Sequence, residues 1–183
     1  MPSETHPTRA ALLDAGLTLA DRSALPLVSI DQIVAEASVA KGTFYVHFPD
    51  RATFLVALHD RFHERLRDRM RVAVAGMAPG TVRLQAAIAA YLDGCLASGG
   101  VKAMLASSRG EAAIAAKVID SNDRFARAGV EDLRAAGFGS PLETGRLVTA
   151  MAAEIALLEV GRHRPNQRLR SALWELITEF DVT

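Results

Sequence analysis

Between Lys41 and Arg51 the chain carries side chains suited to binding phosphate groups. The donors are the Lys41 ammonium, the Tyr45 hydroxyl, the His47 imidazole and the Arg51 guanidinium. Side chains of these types bind the backbone oxygens of nucleic acids and fix the position of a protein on the duplex. Gly42 lies among them and allows close approach of the backbone. The spacing therefore predicts a surface that contacts a phosphate backbone.

Two short helices joined by a sharp turn must position these groups. An apolar stripe at helical spacing is formed by Ile30, Ile33, Val34 and Ala37. Ser29, with Gln32 three residues later, predicts a capping box at the start of this helix. Ser38 interrupts the stripe, and Phe44 and Phe48 repeat at four residues. The pattern predicts a helix, a turn and a second helix.

The segment Lys41-Gly42-Thr43-Phe44-Tyr45-Val46-His47-Phe48, followed by Pro49-Asp50-Arg51 and Phe54-Leu55, resembles the recognition-helix motif of TetR-family transcriptional regulators. The resemblance covers most of residues 8–65. It implies an all-α fold of about nine helices, with a three-helix helix-turn-helix DNA-binding domain and a C-terminal helical domain for ligand binding and dimerisation. We expect the first domain over 1–75, with the helix-turn-helix at about 29–48, and the second over 76–183.

The resemblance and the donor chemistry together predict a set of DNA-binding residues: Ser29, Val39, Ala40, Lys41, Gly42, Thr43, Tyr45, Val46, His47 and Arg51. Phe44 and Phe48 are expected to face the core. No Arg, Asn or Gln lies between residues 39 and 48, so the bidentate readers of guanine and adenine are missing there. We expect base specificity to depend on contacts of Val46, Thr43 and Ala40 with thymine methyl groups, on Lys41, and on DNA shape.

The motif departs from the family pattern at two positions. Val46 occupies a place where many members carry a polar or aromatic residue, and Arg51 one where Lys is commoner. Asp50 is expected to cap the following helix, whose N-terminal amides suit a phosphate.

Composition restricts the class of protein further. Half of the 183 residues are apolar and 5% are aromatic, which favours helices throughout. The 21 Lys and Arg balance 21 Asp and Glu, so net charge gives no evidence for nucleic-acid binding. A single cysteine, Cys95, excludes an intrachain disulfide and fits a reducing compartment. With a polar N-terminal segment and no long apolar run, we expect a cytoplasmic protein that does not enter a membrane.

Glycines, prolines and capping residues along the sequence predict where the remaining helices begin and end. They are expected at about 7–22, from 51 to the Gly76–Gly80 break, over 81–98, briefly at 101–105, from a capping box of Ser108 and Glu111 to the Gly137–Gly139 break, from a capping box of Ser140 and Glu143 to His163, and from about 165 to Phe180. Pro141 is expected at the first position of its helix.

The last two helices are predicted to form a dimer. Residues 141–163 carry apolar groups on more than one face, among them Ala150, Ala153, Leu157 and Leu158. The resemblance implies a four-helix interface with twofold symmetry and hence a palindromic DNA operator. It also implies a repressor that a small molecule releases, although the sequence leaves open whether an effector exists and whether it acts as inducer or corepressor.

A pocket for such a molecule is expected to be mainly apolar with a few polar groups. The candidate lining residues are Tyr91, Cys95, Met104, Asn122, Phe125, Met151 and Glu154. Each has an alternative interpretation as an ordinary core residue or, for Glu154, as part of an ion pair across the dimer. No cofactor is expected.

Two other functions remain open. His59-Asp60-Arg61-Phe62-His63 resembles the helix of zinc proteases, in which two histidines four residues apart bind the metal. No third ligand is recognisable, the acid is Asp and not Glu, and five arginines lie between residues 61 and 71. We therefore expect a solvated helix face, no metal site and no enzyme. The other alternative is a TetR-like module that binds a ligand or a partner but not DNA.

Overall fold

The computed structural model describes residues 7–22, 28–110 and 112–178, and the regular structure of these ranges is helical. The helices are α1 Pro7–Arg22, α2 Ile30–Glu36, α3 Lys41–His47, α4 Arg51–Ala73, α5 Thr81–Ala97, α6 Gly99–Ser107, α7 Ala112–Ala128, α8 Val130–Ala135, α9 Pro141–Arg162 and α10 Gln167–Thr178, with a 3-10 turn at Ser108–Gly110. The all-α prediction is confirmed.

The described residues form two compact units. The first contains the chain up to His63 together with Gly100–Lys117, and the second contains Glu64–Gly99 and the chain from Val118 onward. The division falls within α4 and not at residue 75. The segment Gly100–Lys117 joins the first unit because α6 approaches α1, where a Cβ at Gly100 would lie 1.9 Å from the Ala20 carbonyl oxygen. The boundary between DNA-binding and regulatory domains stays a prediction.

Local hydrogen bonds define the turn between α2 and α3. The predicted capping box is confirmed, since the Gln32 backbone amide donates to Ser29 Oγ and the Ser29 backbone amide donates to Gln32 Oε1. At the other end of α2, the Val39 amide donates to the Val34 carbonyl and the Ser38 amide to the Ala35 carbonyl. With Ser38 at φ 55°, these bonds form a Schellman motif. The chain is thereby reversed within a few residues.

An aromatic cluster forms the core beneath α3. Phe44, Phe48 and Phe54 are almost completely buried, and their ring centroids lie 5.1–5.4 Å apart. The prediction that Phe44 and Phe48 face the core is confirmed. The Arg9 guanidinium lies 5.0 Å from the centre of the Phe48 ring, a cation–π contact between α1 and the end of α3.

In the second unit α5, α8, α9 and α10 pack together. Ion pairs connect these helices at two places. Arg83 Nε donates to Asp132 Oδ1 at 2.6 Å, and the Gly80 amide donates to the same oxygen at 3.0 Å, which joins the start of α5 to α8. The second place is a buried pair between Glu159 of α9 and Arg170 of α10.

The Glu159–Arg170 pair is bidentate. Arg170 Nε and Nη2 each donate to a Glu159 carboxylate oxygen at 2.7 Å, and Nη1 donates to Asp93 of α5 at 2.7 Å. The Asn166 backbone amide donates a further hydrogen bond to Glu159 Oε1 at 2.8 Å. Burial alone raises the pKa of Glu159, but the hydrogen bonds from Arg170 and Asn166 outweigh it, so the pKa lies below its ordinary value. The hydrogen bonds to Glu159 and, after it, to Asp93 raise the pKa of Arg170 despite its burial.

Three predicted helix ends differ from the structure. The long helix expected up to Gly137 is divided at Gly129, because glycine is the weakest helix former after proline. Ser108 does not cap α7, which begins at Ala112; its hydroxyl donates to the Met104 carbonyl within the preceding turn, and Glu111 lies outside the described residues. Ser140 makes no side-chain cap, although Pro141 does open α9 as predicted. Phe180 also lies outside the described residues.

None of the described helices is long and apolar enough to cross a membrane.

The buried ion pair gives a stability prediction. Arg170→Leu leaves the Glu159 carboxylate, which is 0% exposed, without its cation, so we expect the free energy of unfolding to fall by about 3–5 kcal/mol. Urea unfolding at a fixed protein concentration measures this change. The matched control is Arg124→Leu, which breaks the exposed pair of Arg124 with Asp120 and should cost no more than about 0.5 kcal/mol.

The same variant should respond to pH. Because the pKa of Glu159 in the folded protein is lowered from 4.5, the stability that it contributes is present above that value and is lost as the pH falls below it. The difference between wild type and Arg170→Leu should therefore shrink as the pH falls below about 4.5. Equal losses for the two arginine variants would contradict the prediction.

Candidate nucleic-acid interface

The short helix α3 presents an exposed face opposite its aromatic core. Phe44 is fully buried, whereas Val46 is 80% and Tyr45 47% exposed. Ala40, Lys41 and Gly42 are also exposed at the start of the helix, and Val39, Thr43 and His47 are half-buried. An apolar side chain as exposed as Val46 is available to meet a partner. The structure thus brings these predicted residues together on one side of α3, and their contact with DNA stays a prediction.

Two of the predicted DNA-binding residues, Ser29 and Arg51, lie outside α3 in the neighbouring segments. Ser29 is exposed at the start of α2, with its hydroxyl engaged in the capping box. Arg51 is half-buried at the first position of α4. The Thr53 amide donates to Asp50 Oδ1 at 2.7 Å, which confirms the predicted cap. This bond lowers the pKa of Asp50.

An acidic side chain that the sequence reasoning did not single out lies beside Lys41. Asp31, in the first turn of α2, has its Oδ1 2.7 Å from Lys41 Nζ. The hydrogen bond to Asp31 is the main reason that the pKa of Lys41 is raised. The sequence shows an acid early in α2, but only the fold brings it to the start of α3. The Lys41 cation therefore has a protein partner beside the proposed phosphate site.

The sequence predicted that the histidine pair of α4 lies on a solvated helix face, and this prediction is wrong. His59 and His63 are buried, and their ring centroids lie 4.2 Å apart. The reason is helical periodicity, since His59 follows the buried Leu55 by four residues and His63 repeats that step. Within the part of the chain that the structure describes, no group of three His, Cys, Asp or Glu residues is placed to hold a metal ion.

A small cavity lies within the second unit. It measures about 80 Å³ and is lined mainly by apolar side chains, together with Tyr91, Asp132 and Thr149. The rings of Tyr91 and Phe125 meet edge to face at 5.5 Å in its wall. The Asp132 carboxylate is already bound by Arg83, so its charge is compensated within the protein. The cavity therefore suits a small uncharged molecule.

The predicted pocket residues divide into two groups. Tyr91 and Phe125 line the cavity, and the other five, Cys95, Met104, Asn122, Met151 and Glu154, are not among its lining residues. Cys95 is completely buried, and Met104 belongs to the first unit. Residues that the sequence did not single out complete the wall, including Met70, Leu84, Ile88, Leu133 and Val148. Their apolar spacing is that of any core helix, so no sequence signal distinguished them.

Helix α9 has an exposed stripe opposite its buried face. Leu147, Ala150, Glu154, Leu158 and Gly161 are all exposed and follow one another at intervals of three or four residues. Of the other residues predicted for a dimer, Leu157 is half-buried and Ala153 is buried. On α10, Leu176 is 49% exposed. A largely apolar stripe of this length on a surface helix is typical of an interaction site.

Comparison with known proteins gives a family and a shared fold. Residues 12–58 match the family described as bacterial regulatory proteins, tetR family. No curated protein matches the chain significantly.

Several solved structures share the fold over almost the whole chain. A transcriptional regulator from Rhodococcus sp. Rha1 is 20% identical with a TM-score of 0.80, covering 97% of this chain and 100% of its own. The reduced form of NemR from E. coli is 16% identical with a TM-score of 0.76, at coverages of 95% and 96%. The fatty acid degradation regulator FadR from Bacillus halodurans is 15% identical with a TM-score of 0.75, at coverages of 96% and 97%.

The matched region spans α1 to α3 and the start of α4, and it contains the exposed face of α3 with its donors. The match over residues 12–58 identifies a TetR-type helix-turn-helix region in this chain, and the similarity to the solved structures shows that the fold is shared along almost the whole chain.

Proposed function

We propose that this protein is a TetR-family transcriptional repressor that binds a palindromic operator as a homodimer and is released by a small, largely apolar molecule. The observation that carries the proposal is the two-sided character of α3, which buries Phe44 and exposes Lys41, Tyr45 and Val46 on one surface. A helix of this kind fits the major groove, with donors for phosphates and small or apolar groups at base edges.

The proposed dimer uses the exposed stripe of α9 together with the exposed Leu176 of α10. A twofold axis pairs each stripe with its own copy, an isologous contact. It would also set two copies of α3 about one DNA turn, roughly 34–36 Å, apart along the duplex. Glu154 lies within the α9 stripe, where an ion pair with the partner subunit fits better than a role in the cavity.

The proposed effector occupies the cavity of the second unit. Its lining favours an uncharged molecule with an aromatic or aliphatic body, and Tyr91 and Thr149 supply hydroxyl groups. The volume of about 80 Å³ is smaller than that of an engineered apolar cavity of about 150 Å³ that binds benzene. A larger effector must therefore displace wall side chains. Such displacement would couple binding to α4, which supplies Met70 to the wall and Arg51 to the DNA-binding surface.

Operator selection from random double-stranded DNA tests the proposal as a whole. The full chain should enrich an inverted repeat, and enrichment of no sequence would favour a module that binds only a ligand or a partner.

Lys41→Ala should weaken binding to every operator sequence, because Lys41 is proposed to contact a phosphate. Titrations at several salt concentrations should give a plot of log K against log salt that is less steep by about one, as expected for the loss of one phosphate contact. The matched control is Arg124→Ala, which removes one exposed cation from α7 and should leave the slope unchanged. If both variants keep the wild-type slope, Lys41 does not contact a phosphate.

Leu158→Arg should convert the dimer to a monomer, because it places a charge within the proposed apolar interface. Sedimentation velocity measures the change, and operator affinity should fall with it. Val82→Arg is the control, since Val82 is 69% exposed on α5, outside the proposed interface. A dimer that persists in Leu158→Arg, or one that is lost equally in Val82→Arg, would contradict the proposed interface.

Ala87→Leu should abolish the response to the effector by filling the cavity that Ala87 lines. Small uncharged aromatics from benzene to naphthalene should stabilise the wild type by about 2.7 kcal/mol at a hundredfold excess over Kd, and should release operator DNA. Thermal unfolding and operator titration measure the two effects. Ala86→Leu, a neighbouring position that does not line the cavity, should respond like the wild type. Identical responses from both variants would show that the cavity is not the site.

A further inference from the structure

The ion pair between Asp31 and Lys41 places a negative charge on the surface proposed to meet DNA. Asp31 Oδ1 lies 2.7 Å from Lys41 Nζ, and the two side chains are 72% and 55% exposed. The other residues proposed to contact DNA are neutral or cationic. Since DNA is a polyanion, an exposed carboxylate here is unfavourable unless a donor on the DNA satisfies it.

Two features fix the carboxylate relative to α3. Asp31 lies one residue beyond the first position of α2, whose start is held by the capping box of Ser29. The end of α2 is joined to α3 through the Schellman motif at Ser38. Asp31 is therefore set beside the first residue of α3 by the turn itself, and the exposed pair adds little stability. Its position among the reading residues is thus a consequence of the helix-turn-helix geometry.

The chemistry of a carboxylate limits what it can read. Ionised Asp only accepts hydrogen bonds, and with one oxygen on Lys41 it keeps acceptor capacity for another donor. In the major groove the donors are the N4 amino group of cytosine and the N6 amino group of adenine. Adenine carries the N7 acceptor next to its amino group, which repels a carboxylate, whereas cytosine presents a C–H on that side. Cytosine is therefore the better partner.

We propose that Asp31 is a specificity-determining residue, and that its carboxylate, held by Lys41, accepts a hydrogen bond from the amino group of a cytosine in each half of the operator. The inference rests on the proposed function. Lys41 has three N–H donors, so it can hold Asp31 and contact a phosphate together, and it offsets the repulsion between Asp31 and the DNA backbone. Asp31 thereby supplies a base-reading group to a motif that lacks Arg, Asn and Gln in α3.

A competing interpretation is that Asp31 only compensates the dipole of α2, as acids in the first turn of a helix do. In that case its removal changes stability and general affinity but leaves base preference unchanged. The two interpretations therefore differ in sequence specificity, which can be measured directly.

The experiment compares full-length wild type, Asp31→Ala and Asp31→Asn. Each is used for selection from random DNA, followed by anisotropy titrations of operators in which every base pair is replaced in turn. In the wild type, replacement of one cytosine per half-site should cost roughly 5- to 150-fold in affinity. Asp31→Ala should lose most of this discrimination at that position alone. Asp31→Asn should shift the preference there to adenine, which an amide binds in a bidentate manner.

Glu36→Gln is the matched control. Glu36 is an exposed acid on the same helix and also forms an exposed ion pair, with Arg22 at 3.2 Å, so its replacement removes the same charge. It should leave every base preference unchanged, and circular dichroism should show that all variants fold.

Three outcomes would overturn the inference while leaving the proposed function intact. They are an unchanged base preference in Asp31→Ala, a uniform gain in affinity for all sequences, and a wild-type preference for adenine at the position that Asp31 affects. If wild type enriched no sequence, the proposed function itself would fail, and this inference with it.

Discussion

The burial of three phenylalanines beneath α3 is the interaction on which the proposed DNA-binding surface depends. A helix of seven residues is too short to be stable by itself in water, so its conformation must come from packing. Phe44 and Phe48 anchor one side of α3 against Phe54 of α4. Because this side is fixed, the opposite side with Tyr45 and Val46 has one orientation. A rotation of α3 by a single residue would expose the aromatic core and bury the reading groups.

Charge in this protein is organised locally, since 21 basic and 21 acidic residues cancel overall. Much of it is committed to internal pairs, such as Arg170 with Glu159 and Arg83 with Asp132. Even Lys41, the cation at the start of α3, has an acidic neighbour. The net charge of the protein therefore provides no long-range electrostatic attraction to DNA. Binding must depend on the placement of a few donors and on the spacing that the proposed dimer gives to two copies of α3.

Local signals in the sequence were most reliable where both members of the interaction are close in the chain. The capping box of Ser29 and Gln32, the Asp50 cap and Pro141 at the start of α9 are confirmed. The same reasoning was wrong at Ser108, whose hydroxyl bonds to the preceding turn, and at Ser140, which makes no side-chain cap. A serine hydroxyl has several backbone partners within reach, and the fold decides among them.

The sequence by itself determined the helical class and the helix-turn-helix with its aromatic anchors, because each follows from periodicity and from residue types within a short segment. Only the tertiary structure decided that His59 and His63 are buried, that Tyr91 and Phe125 line a cavity which Met104 and Glu154 do not, and that Asp31 meets Lys41. Apolar spacing indicates that a side chain is buried, but it does not indicate which residues pack against it. The partner is set by the packing of helices distant in the chain, which no single segment encodes.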